Sequence, residues 1–278
     1  MKSILSLSII FLFMLNGLSI LPVYAVSNPS IVQIGQNNGI YVNSLIVTMP
    51  SYFKPNNQVY IGISLVALRI EYDSVKVSFI SSSNESMASF TGLRQDLTVC
   101  GGHEGHSGQE CFTYIAVSEF RFSPEGIKGS NYSPHSNQIE FNFTNLINPA
   151  NASAFVFETS GYDIRNGYGA SGGQSPVTIG SILVGSKNAS VNDNPFHITG
   201  SNDFVFGVVA MAFSTNGIWT SPEPYYTILD NSNTGVAKYS TILPGTSPAG
   251  YYTNVALDSN MGDGWAESAI FVGPGYLS

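Results

Sequence analysis

The stretch CGGHEGHSGQEC, Cys100 to Cys111, holds both cysteines of the chain and two of its four histidines. These residue types offer two kinds of chemistry. The thiols can pair, or His103, Glu104 and His106 can ligate Zn²⁺ or Cu²⁺ through imidazole and carboxylate. In an exported chain two cysteines most often pair, and a bridge over so short a loop is worth roughly 2–3 kcal/mol by chain-entropy reasoning. Pairing leaves two imidazoles with Glu104 or Glu110, whereas a good metal site needs a full ligand set on a rigid frame. A His-x-x-His spacing works best on a helix, and the four glycines between the cysteines oppose one. The expectation is a Cys100–Cys111 clamp at the base of a hairpin with an exposed tip. A metal site completed by a partner and a loop that binds directly through its histidines are the alternatives. His135 and His197 lie far off in sequence.

Oxygen ligands gather elsewhere. Asp258, Asn260 and Asp263 alternate in DSNMGDG, a pattern that suits a hard cation, although Ala269 stands where a helix-loop-helix calcium loop has its glutamate. Asp230–Gly235 and Val191–Phe196 are weaker versions, and Asx-rich turns explain all three without metal. No cofactor is expected, with structural calcium as the alternative.

No catalytic constellation is complete. Gly169-Ala170-Ser171-Gly172-Gly173 fits the G-x-S-x-G nucleophile elbow, which requires a strand before it and a helix after it. Here it sits in a glycine-rich stretch expected to be a loop. Glycoside hydrolysis needs two carboxylates across a groove. Glu71-Tyr72-Asp73 begins such a run and lacks the last acid, while Glu140 and Glu158 fall on expected strands as edge or outward-facing residues. A secreted hydrolase is therefore the third reading.

Tyr162, Tyr168, Tyr225 and Tyr226 fall in or near expected loops, where tyrosine rings can stack on sugars. Five N-x-S/T sequons occur, at Asn84, Asn131, Asn142, Asn151 and Asn188. A chain this rich in Asn, Ser and Thr produces that number by chance, so they mark only candidates for glycosylation.

Positioning such residues falls to short β-strands separated by Gly, Pro and Asn turns. Expected strands include 41–49, 58–68, 75–81, 96–100, 111–117, 138–144, 154–159, 177–184, 203–213, 225–230, 235–241, 250–257 and 265–272. Ile139-Glu140-Phe141-Asn142-Phe143 and Val75-Lys76-Val77-Ser78-Phe79 alternate apolar and polar residues, and Phe204 to Phe213 is apolar on both faces, as a central strand would be. Residues 161–176 read as a long loop between two halves. No window shows a helical period, so the fold class is all-β, an antiparallel β-sandwich.

Residues 1–25 read as a secretory leader: Lys2, an apolar run and small residues before an expected cut after Ala25. No later stretch reaches the ~20 apolar residues that would span a bilayer. Residues 26–36 form an N-terminal arm or strand that Asn37-Asn38-Gly39 should end. Ile31, Val32 and Ile34 could carry it onto its own sheet or onto a neighbour's sheet edge. A single sandwich, 37–273, and a short tail, 274–278, complete the expected organisation. Charged residues make up 10%, the net charge is −8 and the pI is near 4.8, a balance that argues against nucleic acid and anionic membranes.

The order of segments resembles a loose family of exported jelly-roll β-sandwiches, lectin-like in shape, found in bacterial and archaeal extracellular proteins. The phrases that carry it are Gln58-Val59-Tyr60-Ile61-Gly62-Ile63-Ser64, the aromatic strand Cys111–Val117, Gln138–Thr144, Phe155-Val156-Phe157-Glu158-Thr159-Ser160-Gly161, Asp203–Ala210 and Gly264-Trp265-Ala266. The resemblance implies a β-sandwich and no shared catalytic set, and the Cys–His loop is not part of its pattern. The expected function is non-catalytic binding or adhesion at the cell surface, to a glycan or another surface protein. The alternative is a structural subunit of an extracellular filament or layer that self-assembles by strand donation.

Overall fold

The computed structural model describes residues 29–54, 57–80, 90–100, 108–118, 136–147, 149–174, 204–211, 219–220, 227–230, 235–241, 256–257 and 265–274. Every regular element among them is a strand. In chain order these are β1 (Ser30–Val42), β2 (Ser44–Thr48), β3 (Gln58–Ala67), β4 (Val75–Ile80), β5 (Phe90–Val99), β6 (Glu110–Ser118), β7 (Gln138–Phe143), β8 (Ala150–Ser160), β9 (Tyr162–Gln174), β10 (Phe204–Met211), β11 (Trp219–Thr220), β12 (Thr227–Asp230), β13 (Gly235–Thr241), β14 (Ala256–Leu257) and β15 (Trp265–Pro274). They form a central five-stranded sheet in the order β1-β8-β3-β6-β5, a three-stranded sheet β2-β7-β4, a second five-stranded sheet β12-β13-β10-β15-β9, and a two-stranded ribbon β11-β14. All pairs are antiparallel, and the fold is an all-β sandwich.

Strand β3 shows why the layers stack as they do. All ten of its residues are buried. Alternate side chains must then find apolar partners on both faces. Val59, Ile61, Ile63 and Leu65 pack with Leu45, Val47, Phe79, Ile139 and Phe141 of the three-stranded sheet. Tyr60 points the other way, into a cluster with Phe155, Phe157, Phe204, Phe206, Val208 and Ile270. The central sheet is thus covered on both faces, with the first half of the chain supplying two layers and the second half the third. Gly62 marks the closest approach, because a Cβ there would collide with Phe206 and Val208.

The alternation read in β7 and β4 holds. Ile139, Phe141 and Phe143 are buried while Glu140 and Asn142 lie half-exposed, and in β4 Lys76 and Ser78 are exposed while Val75 and Val77 are half-buried and Phe79 is buried. Strand β10 is indeed central in its sheet.

Two expectations fail. Residues 161–176 are not a loop, because Tyr162–Gln174 forms β9 and pairs with β15 along its length. Its glycines weaken strand propensity, but a partner strand supplies the ladder and overrides it. The N-terminal strand also does not stop at Asn37-Asn38-Gly39. It runs to Val42, paired with β8 from Ser30↔Ser160 to Val42↔Ala150. Its odd-numbered residues explain this. The Gln33 side chain bonds Ser51, that of Asn37 donates to the Ile46 carbonyl (2.7 Å), and Gly35 and Gly39 lie where a Cβ would strike Met49 and Val47 or Val42. Amides stitch β1 to the β2 segment, and glycines let the two sheets close at this edge. An Asn-Gly that would turn a free hairpin is here a spacer within a strand.

Gly62→Ala should lower stability by about 1–3 kcal/mol through overpacking of the layer contact. Urea unfolding checks this, and an unchanged midpoint would contradict the described contact between β3 and β10.

Candidate binding groove and the buried Glu158 cluster

The three-stranded sheet is narrower than the sheet it covers. Its edge strand β4 meets β5, the edge of the central sheet, where Phe79 stacks on Phe90 at 4.9 Å. Between these two edges lies a groove of about 460 Å³ lined by Tyr72, Val75, Gly92, Leu93, Arg94, Gln95 and Tyr114. That size lies within the usual range for small-ligand sites.

Its walls are built locally. Glu71–Ser74 is a tight turn in which the Glu71 N–H donates to Ser74 Oγ (2.8 Å) and the Ser74 N–H to the Glu71 carbonyl (2.9 Å). The Ser74 carbonyl accepts from Thr144 N–H (2.8 Å), and the Ile70 N–H donates to Glu110 Oε2 (2.5 Å). This frame holds Tyr72 at the tip, 57% exposed, with its ring edge-on to Phe112 at 6.3 Å. Phe112 in turn lies parallel to Tyr114 at 6.4 Å, because residues two apart on β6 share a face. Gln95 stands directly across from Tyr114 in the β5–β6 ladder. Gly92 gives the Tyr114 ring room, since a Cβ there would lie 3.0 Å from it. A bulge between Gly92 and Arg94 turns Leu93 toward the opposite core, and Arg94 Nη1 donates to the Leu93 carbonyl (2.8 Å). The result is an aromatic floor beside the Gln95 amide, with Leu93 and Arg94 along its rim. Burial pushes the Tyr114 phenol above its ordinary value of 10, so it is neutral at physiological pH.

A second cluster is polar and closed. Glu158 is 0% exposed. Oε2 accepts from Gln33 Nε2 (2.5 Å); Oε1 accepts from the Lys54 backbone N–H (2.7 Å) and Asn57 Nδ2 (2.6 Å). Gln33 Oε1 also accepts from Ser51 N–H (3.0 Å) and Ser51 Oγ (3.1 Å), while its Nε2 donates to the Ser51 carbonyl (3.2 Å). A bulge between Ile31 and Gln33 aims the amide at this point. The cluster ties β1, β8 and the segment after β2 together, and donors on both oxygens offset the cost of burying the carboxylate. It has no opening in which to do chemistry.

The sequence-derived candidates are placed unevenly. Cys100 and Cys111 form the expected disulfide, Cα–Cα 5.6 Å, but it is buried with Val66, Ala210 and Ala266 and runs diagonally, since Cys111 faces Thr98 and the Cys100 N–H bonds the Gln109 carbonyl. His103, Glu104 and His106 lie outside the described residues, as do Asp258, Asn260, Asp263, Tyr225, Tyr226, Asn84, Asn131 and Asn188. Among the described residues no group of three His, Cys, Asp or Glu could hold a metal, and no helix is long and apolar enough to cross a membrane.

Tyr162 is not a binding ring. It is 1% exposed and packs on Phe204 at 5.6 Å, because the third layer covers what would be a loop in a two-layer sandwich. Tyr168 lies on β9 opposite Phe271. Ser171 of the G-x-S-x-G run is on that same strand, paired with Ser268, without the strand-to-helix elbow a nucleophile needs. Glu71 and Asp73 sit in the turn rather than alternating along a strand, with Glu71 paired to Arg69 at 3.1 Å. Glu158 faces inward, against expectation. Asn142 is half-exposed on β7, whereas Asn151 accepts from the Tyr41 N–H (3.1 Å) and its sequon partner Ser153 is fully buried in β8. Ile31, Val32 and Ile34 lie on β1, within this chain's own central sheet. The groove residues Tyr72, Arg94, Gln95 and Tyr114 escaped the sequence reading. The alternation Phe112-Thr113-Tyr114 was the available signal.

Because the raised Tyr114 value favours the neutral phenol in the folded state, its contribution to stability is present below pH 10 and lost as pH rises through the folded value. Above pH 10 the unfolding midpoint of the native chain should therefore fall more steeply than that of Tyr114→Phe. Parallel slopes would contradict the buried placement of that phenol.

Comparison with protein-family models, with curated proteins and with solved structures gives no match, so the functional reading rests on the groove's own geometry.

Proposed function

We propose that this chain is an exported, non-catalytic binding protein of the cell surface whose groove between β4 and the β5–β6 hairpin takes a sugar ring of a glycan. The observation that carries this reading is the floor made by Tyr72 and Tyr114 with Gln95 beside it. Aromatic faces accept the C–H faces of a pyranose, and an amide fixes hydroxyl positions by donating and accepting hydrogen bonds. Among the described residues the lining of the groove is aromatic, apolar, amide and guanidine-bearing, and the reading as a holding site rests on the rings. The leader expected at residues 1–25 and the low charge of the chain support export.

A glycan array probed with the chain from Val26 onward is the direct test. Binding to at least one neutral or acidic oligosaccharide is expected, with Tyr72→Ala and Gln95→Ala each weakening it at least tenfold while leaving the unfolding midpoint within about 0.5 kcal/mol, as surface changes do. An array without binding, or binding indifferent to both substitutions, would rule the groove out as the glycan site.

A further inference from the structure

We propose that β1 is an exchangeable strand: residues 30–40 of one copy occupy the β8 edge of a second copy, hinged at Tyr41–Asn43. The inference does not depend on the groove.

The hinge comes first. A single residue, Asn43, separates β1 from β2, and the chain must pass from one sheet into the other within it. It does so with Tyr41 at φ 56°. A bulky L-residue is strained in that region. Tyr41 is also 76% exposed, so no packing of its ring repays the strain. What holds it there is the bond from its N–H to Asn151 Oδ1 and the pairing of Val42 with Ala150. When β1 instead runs straight on from β2 as an arm, Tyr41 returns to ordinary extended φ. The strain belongs to the closed chain alone, and short strained hinges favour exchange between copies.

The edge is open to this. β1 is the outermost strand of the central sheet. Its thirteen residues, SIVQIGQNNGIYV, include no charge and no proline, the usual devices that keep sheet edges from pairing with other chains.

The slot is also specific. It requires an amide at position 33 to reach Glu158 and Ser51, an amide at 37 to reach the Ile46 carbonyl, and no side chain at 35, where Val47 and Met49 leave no room. Residues 33–37 of a second copy carry that key in the same register, which commits the occupant to this same chain. The glycan groove lies at the β5 end of the sheet, opposite β1. Exchange therefore leaves it free, and an exchanged assembly displays several grooves at once.

The test uses the chain from Val26 onward in light scattering across a concentration series, with two fluorescently labelled preparations mixed to report exchange. The native chain should form dimers or longer assemblies that trade labelled copies. Tyr41→Gly removes the strain from the closed form and should raise the concentration for half-assembly at least tenfold. Tyr41→Asn, which tolerates positive φ, should shift it in the same direction. A native chain that stays monomeric at every concentration overturns the proposal. So does assembly whose midpoint neither substitution moves.

Discussion

A sheet covered on both faces has no solvent side for its polar groups. Most of this molecule follows from that constraint. In a two-layer sandwich a strand can alternate, apolar inward and polar outward. In β3 and β8 that option is absent, and their side chains must be apolar, small, or hydrogen-bonded within the protein. The runs of Ile, Val, Phe and Ala in these strands answer the first demand, Gly62 the second and Glu158 the third. Even the pair Thr113 and Ser268, facing each other across two layers, share a hydrogen bond of 2.9 Å. The disulfide belongs to the same interface, buried among Val66, Ala210 and Ala266 rather than clamping an exposed hairpin from outside.

The same constraint divides the two edges of the central sheet. At the β5 edge a groove opens beside β4, and partly buried rings face it. Tyr114 is a core residue on one side and a groove wall on the other, which is why its phenol is desolvated while remaining within reach of a ligand. At the β1 edge the layers close instead, and the closure is polar: Gln33 and Asn37 reach across while Gly35 and Gly39 permit the approach. Apolar contacts hold the middle of the molecule, whereas amide geometry holds its first strand. A strand held mainly by directional bonds is selective about what takes its place.

The fold class was legible in the sequence because it depends on local pattern. Ile139-Glu140-Phe141-Asn142-Phe143 announces a one-sided strand wherever it sits, and β10 announces a central one. What could not be read was layer number. Nothing in Phe157-Glu158-Thr159 says that the strand is covered on both sides, by the third layer over Phe157 and by residues 51–54 and 57 over Glu158, so a glutamate on a strand was expected outward. Tyr162 was lost for the same reason, and β9 because its glycines carry no strand signal until β15 pairs with them. The groove was illegible as a site because its residues come from three separate segments, around 72, 94 and 114, that only the fold brings together. The Cys100–Cys111 bridge was legible from residue type and spacing alone.

The central claim is that Glu158 is an internal anchor on the face of β8 that Gln33 and residues 51–54 and 57 cover. Urea unfolding of Glu158→Gln tests it most directly. The amide matches the carboxylate in shape but turns one acceptor into a donor facing the donors of Gln33 or Asn57 and Lys54. The account predicts a loss of about 1–3 kcal/mol, the cost of an unmatched buried polar group. A change within about 0.5 kcal/mol, as expected of a solvent-facing residue, would mean that Glu158 faces water and that β1, β8 and residues 51–54 and 57 are not tied together as described.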